Sequence, residues 1–258
     1  MESEIFPYIL DDPALLLTFI LIGFVAQLID GALGMAFGVI SNTLLISFGV
    51  PPAAASASVH LIKNFTGAVS AVSHVAHRNV DWSLFWRLLI PGIVGGVIGA
   101  VLLSKMDASV AKPIVLAYLA AIGIYLLLRA LRAPPVEKPP RVVGPLGFAG
   151  GFLDAAGGGG WGPVVTSNLL VQGANPRKVV GTVNTSELFL ALAISGAFLL
   201  TLGVSAFGTA AVGLLIGGVA AAPLGGFVAK RVPARPMLVM VGIVLTVTSG
   251  FGLWSALR

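Results

Sequence analysis

Residues 153–163 read LDAAGGGGWGP, and they lie inside an apolar run, 145 to 172, that hydrophobicity alone would draw as one membrane-spanning helix. An acid, four consecutive glycines and a proline do not suit such a helix. Each glycine costs about 1 kcal/mol relative to alanine in a helix, and the proline removes a backbone donor. The stretch therefore reads as a helix break, and the rest of the chain says what it breaks.

The chain has 258 residues, of which 57% are apolar and 10% charged, and its mean hydropathy is +1.01. That composition belongs to a polytopic membrane protein. Apolar runs cover residues 14 to 48, 54 to 77, 83 to 104, 113 to 131, 145 to 172, 178 to 203, 206 to 229 and 236 to 257. Runs of this length predict spanning helices, since a β-barrel would show alternating segments of about ten residues. With no cysteine, thiolate metal sites, disulfides and cysteine nucleophiles are excluded. The N-terminal MESEIFPYILDDP is acidic and lacks the basic flank of a cleaved signal peptide. A net charge of +5 fits basic loops that orient a membrane protein, so no nucleic-acid partner is expected.

Sliding the sequence over itself by 124 residues aligns Asp30 with Asp154, Gly34 with Gly158, Gly38 with Gly162, Gly49 with Gly173, Pro52 with Pro176 and Phe65 with Phe189. The chain therefore reads as a duplication. An acidic segment (1–13) precedes a first repeat (14–132), a linker (133–144) and a second repeat (145–258), with the seam in RALRAPPVEKPPRVV at 129–143.

The first run decides how the halves are related. Residues 14 to 48 would make roughly 50 Å of helix at 1.5 Å per residue, against a hydrocarbon core of about 30 Å. The run must fold back, so each half is expected to be a broken helical hairpin followed by three spans. An odd number of segments inverts the second half. Placing the linker in the cytoplasm puts Arg78, Arg87, Arg129, Arg132, Lys138, Arg141, Arg177, Lys178, Lys230, Arg231 and Arg235 on that side, and only Lys105, Lys112 and Arg258 opposite. The expected fold is thus all-α, with two inverted repeats and both termini outside. Inverted repeats with broken helices place a transport site near the midplane.

Few ionisable residues remain at membrane depth: Asp30, Asp154, His60, Lys63 and Glu187, with His74 nearer an end. In SASVHLIKNFT (56–66), helical spacing puts Ser56, His60, Lys63 and Asn64 on one face. The corresponding VGTVNTSELFL (180–190) has Asn184 for His60 and Glu187 for Lys63, flanked by Thr185 and Ser186. A Lys63–Glu187 pair is the simplest way to bury both charges. It reads either as packing glue or as part of a solute pathway, and the pathway is favoured because intramembrane charges are functional by default.

Pro163 suits the first turn of a helix, so a half-helix over 163–172 would aim the free amides of its first turn at the centre, an anion site by charge and geometry, with Gly160, Trp161 and Gly162 of the break as further binding candidates. Asn42 and Thr43, with Ser41, follow the first break, as Ser167 and Asn168, with Thr166, follow the second. Asp30 and Asp154 precede the breaks. Capping of exposed amides is favoured for them over binding a coupling ion. Trp82, Trp86 and Trp254 are expected at the membrane boundary, and GGVIG at 95–99 and the small residues of 217–226 at close helix contacts. Nothing in the sequence pairs a nucleophile with an oriented base or forms a metal motif, so no enzyme, cofactor or metal is expected.

QLIDGALGMAFGVISNTLLISFGVPPAAASASVH (27–60) and GFLDAAGGGGWGPVVTSNLL (151–170) resemble the sulfite exporter TauE/SafE family of bacterial permeases. The resemblance implies a plasma-membrane secondary transporter that moves sulfite, thiosulfate or organosulfonates such as sulfoacetate, usually outward. Relatives tend to carry an acid where this chain has Lys63, whereas Glu187 matches, so Lys63 inherits no family role. A channel-like or cation-coupled pathway and a non-transporting assembly factor are the alternatives. Coupling to a proton or sodium ion and homo-oligomerisation are left open.

Overall fold

The computed structural model describes residues 13–33, 35, 37–131, 138–204, 210–224 and 234–256. The acidic N-terminal segment, Gly34 of the first break, linker residues 133–137, and Arg132, Lys230, Arg231 and Arg258 of the charge count lie outside the described residues.

Every described element is helical. In chain order they are α1 (Pro13–Leu33), α2 (Phe37–Ser47), α3 (Pro52–Ala76), α4 (Trp82–Lys105), α5 (Ala108–Ala130), α6 (Gly144–Gly157), a π-helical turn (Trp161–Thr166) leading into α7 (Ser167–Val171), α8 (Pro176–Leu202), α9 (Ala210–Ala221) with a 3-10 turn (Ala222–Leu224), and α10 (Ala234–Ala256). Within the described residues, Pro13–Gly31, Trp82–Lys105, Ala108–Ala130 and Arg177–Leu202 are long and apolar enough to cross a membrane. α3 is equally long, but its polar stripe lowers its hydropathy. Loop residues start the spans: Asp81 accepts the Ser83 and Leu84 amides at the head of α4, and Asn175 accepts the Lys178 amide in α8. At the head of α5 the Asp107 carboxylate accepts the hydroxyl and amide of Ser109, which hold its pKa below the ordinary value.

Both apolar runs that were expected to break do so. α1 ends at Leu33 and α2 starts at Phe37, while α6 ends at Gly157 and the next helical turn starts at Trp161. The second break is closed by Gly158, whose φ of 69° lies in the left-handed region that glycine tolerates best. The chain then turns back. Gln172, just beyond α7, accepts the amides of Arg141 and Val142 through Oε1 at 2.9 and 3.0 Å and donates to the Val142 carbonyl at 3.1 Å. Entry and exit of this hairpin therefore share one face of the bundle, and the segment is re-entrant. On the same face Arg177 donates to Asn79 at 2.6 Å and Lys178 to the Arg78 carbonyl at 2.9 Å. At the far ends of α4 and α8, Ser104 and Thr201 meet through their hydroxyls at 2.8 Å.

Packing is reciprocal across the bundle. α1 lies on α9 as α4 lies on α6, α3 crosses α8, and α5 crosses α10. Small residues permit the close approaches: a Cβ at Gly95 would strike the Phe148 carbonyl, one at Gly99 the Phe152 carbonyl, and one at Gly217 the Ile20 carbonyl. The outer surface is apolar. Ile90, Val94, Ile98 and Leu102, four residues apart along α4, are about half exposed, as are Trp82, Trp86 and Trp254. Buried positions instead include His60, Lys63 and Asp154. Such an inside-out distribution is that of a protein solvated by lipid.

One expectation is corrected. The half-helix after the second break begins at Trp161 rather than Pro163, and its first turn is π-helical. The Trp161 amide already has an acceptor in Asp154, so the helix can start there, and a wide turn accommodates Pro163, which has no amide hydrogen for the ladder.

The α4–α6 contact gives a direct test. Gly95→Leu should lower the stability of the detergent-purified protein by about 1–3 kcal/mol, read as a fall in thermal unfolding midpoint. Gly196→Leu should leave it unchanged, because a Cβ there meets nothing within 4 Å.

Candidate functional site

The inner ends of the two hairpins meet. Asn42, one turn into α2, donates to the Gly157 carbonyl at 2.6 Å, and its side chain lies so close to Gly158 that a Cβ there would collide with it. A Cβ on Gly38 would come within 2.8 Å of the Lys63 ammonium and 3.0 Å of the Gly158 carbonyl. Glycine at these positions thus lets two backbone breaks and a lysine head share one small space.

Into that space α3 turns its polar stripe. Lys63 donates to Asp154 Oδ1 at 3.2 Å and to Glu187 Oε1 at 2.8 Å. His60 approaches Asp154 Oδ2 through Nε2 at 3.0 Å, with the Ser56 carbonyl 2.8 Å from its Nδ1. Both His60 and Asp154 are fully buried.

The same Asp154 Oδ1 accepts the amides of Gly160 at 2.7 Å and Trp161 at 3.1 Å. Asp30 does the equivalent in the first half, accepting the Phe37 amide at 3.0 Å. Since Phe37 and Trp161 are 124 residues apart, as are the two acids, the two caps correspond. The amides of Phe37, Gly160 and Trp161 at the two breaks are therefore held, in this conformation, by the protein's own carboxylates. Repeat symmetry ends there. Asp154 faces His60 and Lys63, whereas the residues in the corresponding places opposite Asp30 are Asn184 and Glu187.

The other sequence candidates divide. The hydroxyls of Ser41, Thr43 and Thr166 are fully buried without a hydrogen-bond partner, on the two half-helices that follow the breaks. Asn184 lies at the lip of the centre, its amide 3.3 Å from His74. Asn64 turns from Lys63 to Ser195 at 3.1 Å. Thr185 and Ser186 bond back to carbonyls of their own helix. Ser167 contacts Met35 sulfur, and Asn168 donates to the Val164 carbonyl. Gly162 is buried within the π-helical turn. The Trp161 ring is a packing element, fully buried, with its indole N–H on the Val183 carbonyl at 3.2 Å and its edge filling the space a Gly92 side chain would need. Among the described residues no cluster of three or more His, Asp or Glu side chains could hold a metal ion.

Two residues at the centre were not singled out from the sequence. Tyr118 of α5 reaches the Gly159 carbonyl at 3.3 Å, and nothing in an apolar span marks a tyrosine for that contact. Gln27 lies one helical turn before Asp30, and that spacing was the available signal.

This helical membrane protein, with two helix breaks meeting at a buried charge cluster, is a membrane transporter in class, as comparison with known proteins shows. The chain belongs to the sulfite exporter TauE/SafE family, whose model matches residues 19–251. It is 45% identical over 236 residues to the probable membrane transporter protein YtnM of Bacillus subtilis (strain 168), covering 88% of this chain and 79% of that one. A second relative, a probable membrane transporter protein of Haemophilus influenzae (strain ATCC 51907 / DSM 11121 / KW20 / Rd), is 32% identical over 107 residues, 41% of each chain. No solved structure matches.

A double-mutant cycle measures the central pair. Lys63→Met strands two buried carboxylates and should destabilise by about 3–5 kcal/mol. Glu187→Gln in that background should recover part of the loss, so the double variant unfolds at a higher midpoint than Lys63→Met alone. Strict additivity of the two changes would show that the pair is not coupled.

Proposed function

We propose that the protein is a secondary transporter, working as an exporter, for a small sulfur-containing anion such as sulfite, thiosulfate or an organosulfonate. The observation that carries this reading is the Lys63 ammonium held between Asp154 and Glu187 where the two helix breaks meet. It is supported by the family's description and by relatives named as probable membrane transporters.

Asp154 acts as a resident anion in this scheme. Its carboxylate occupies the donors that an oxyanion needs: the amides of Gly160 and Trp161 and the Lys63 ammonium. A proton passed to Asp154 across its 3.0 Å contact with His60 Nε2 neutralises the carboxylate, and the arriving anion takes the three donors. The buried hydroxyls of Ser41, Thr43 and Thr166 complete its hydrogen bonding. When Asp154 reclaims the donors the anion leaves, so the site never holds it too tightly to release. Rocking of the repeats 14–132 and 145–258 about this centre alternates access. The linker side faces the cytoplasm and both termini face outward across the bacterial inner membrane.

Reconstitution into proteoliposomes tests the reading. Labelled sulfite, thiosulfate and sulfonates should enter with saturable kinetics and be accelerated by unlabelled anion on the opposite side, which separates a transporter from a channel and from an assembly factor. Lys63→Ala removes a charge-assisted donor worth about 1.5–3 kcal/mol, so apparent affinity should fall about ten- to a hundredfold. Absence of flux for every sulfur anion, or wild-type rates in both Lys63→Ala and Glu187→Ala, would remove the proposal.

A further inference from the structure

α3 and α8 begin at corresponding prolines, Pro52 and Pro176, so each residue of α3 has its counterpart 124 positions later in α8. Past Lys63, α3 carries Thr66, Ser70 and His74 at helical spacing, and their counterparts past Glu187 are Leu190, Ile194 and Phe198. The first stripe runs to the linker face, where Asn79 meets His74 and is itself held by Arg177. The second runs to the opposite face, where Thr201 meets Ser104. They differ in solvation as well as in chemistry. Thr66 and Ser70, with Gln27, Asn184 and Glu187, line a polar crevice of about 10 Å³ beside Lys63, room for a water and not for a sulfur anion. Ser70 and His74 are half-buried, whereas Leu190, Ile194 and Phe198 are fully buried.

Contacts between the two helices repeat the contrast. On the linker side His74 Nε2 lies 3.3 Å from the Asn184 side-chain amide. The corresponding pair on the other side is Phe198 with His60, whose ring centroids are 6.4 Å apart. Two polar groups thus face each other on one side, and an aromatic ring covers the buried imidazole on the other. α4 completes the seal, because a Cβ on Gly96 would come within 2.9 Å of both Leu190 and Ile194. Backbone and apolar side chains meet there with no room for water. Among the described residues, polar groups therefore mark a way from the centre to the linker face, and apolar groups fill the equivalent way to the opposite face.

We infer that solute reaches the charged centre from the linker face along Ser70 and His74, and that Leu190, Ile194 and Phe198 are the closed gate of the opposite route. Rocking of two inverted repeats about a fixed site exchanges corresponding routes, so the polar stripe on one side identifies the residues that must part on the other. An apolar constriction stops a hydrated ion by excluding its water, with no charge needed to repel it. The acids beside the polar route do not bar an anion, because Glu187 is held by Lys63 and Asp30 by the Phe37 amide. As the path of the transported anion the route rests on the function proposed above; its sidedness does not.

The chain has no cysteine, so single cysteines in the full chain report access directly. Sulfonatoethyl methanethiosulfonate, a thiol reagent that is itself a membrane-impermeant anion, is added to one side of sealed vesicles, with Lys138→Cys marking the linker face. Ser70→Cys should react from the linker face, and Ile194→Cys should react roughly tenfold more slowly or less from either face. Phe198→Ala in the Ile194→Cys background should raise its rate roughly tenfold from the opposite face alone. Ser70→Cys inert from the linker face, Ile194→Cys as reactive there as Ser70→Cys, or an Ile194→Cys rate that Phe198→Ala leaves unchanged would overturn the assignment. Labelling needs no transported substrate. A failed labelling pattern therefore leaves anion flux as it is, and the expected pattern without flux would overturn only the transporter reading.

Discussion

One lysine head between two carboxylates organises the centre of this protein. In a medium that cannot solvate charge, Lys63 must find anions and Asp154 and Glu187 must find a cation. The three groups come from three different helices, α3, α6 and α8, so satisfying them fixes how those helices meet. Such a pair adds little net stability compared with an apolar core. In the proposed transport cycle its value lies elsewhere, in charges that stay at the centre of the bundle for an arriving solute to meet.

The helix breaks make that centre possible. A continuous helix through residues 153–163 would keep every backbone donor in its own ladder, whereas the break releases the amides of Gly160 and Trp161, and Asp154 gathers them. Glycines do a second task here. Gly38, Gly158 and Gly160 lack the side chains that would collide with Lys63, Asn42 and Tyr118 respectively, so backbone, ammonium and amide crowd together without intervening carbon. What began as a defect in a span is the means by which two half-helices and a charged stripe are brought within hydrogen-bonding distance.

Much of this was legible in the sequence, because the relevant signals are harsh ones. Acids, a lysine and clustered glycines in an apolar chain are costly, and a 35-residue apolar run exceeds the bilayer. Those facts expose the membrane fold, the breaks and the Lys63–Glu187 pair. Occupancy of individual donors was not legible. Sequence favoured Asp154 as a cap for exposed amides of the break, but capping and coordination use the same residue, and which amides the carboxylate takes depends on the turn geometry. Trp161 was placed in the site by its position in the motif; its amide does reach Asp154, while its ring packs between α4 and α6 in space that side chains at Gly92 and Gly150 would fill. Tyr118 and Gln27 carry no signal stronger than helical spacing, so only the assembled bundle brings them to the centre.

In the proposed transport cycle Asp154 stands where the transported anion binds. Equilibrium binding of thiosulfate to purified Asp154→Asn tests it most directly, with wild-type protein alongside. Removing the resident charge while keeping a side chain that can accept a hydrogen bond should tighten thiosulfate binding by about tenfold, roughly 1.4 kcal/mol. Binding weaker than wild type in a variant with wild-type helix content would contradict the account and leave Asp154 as a structural cap alone.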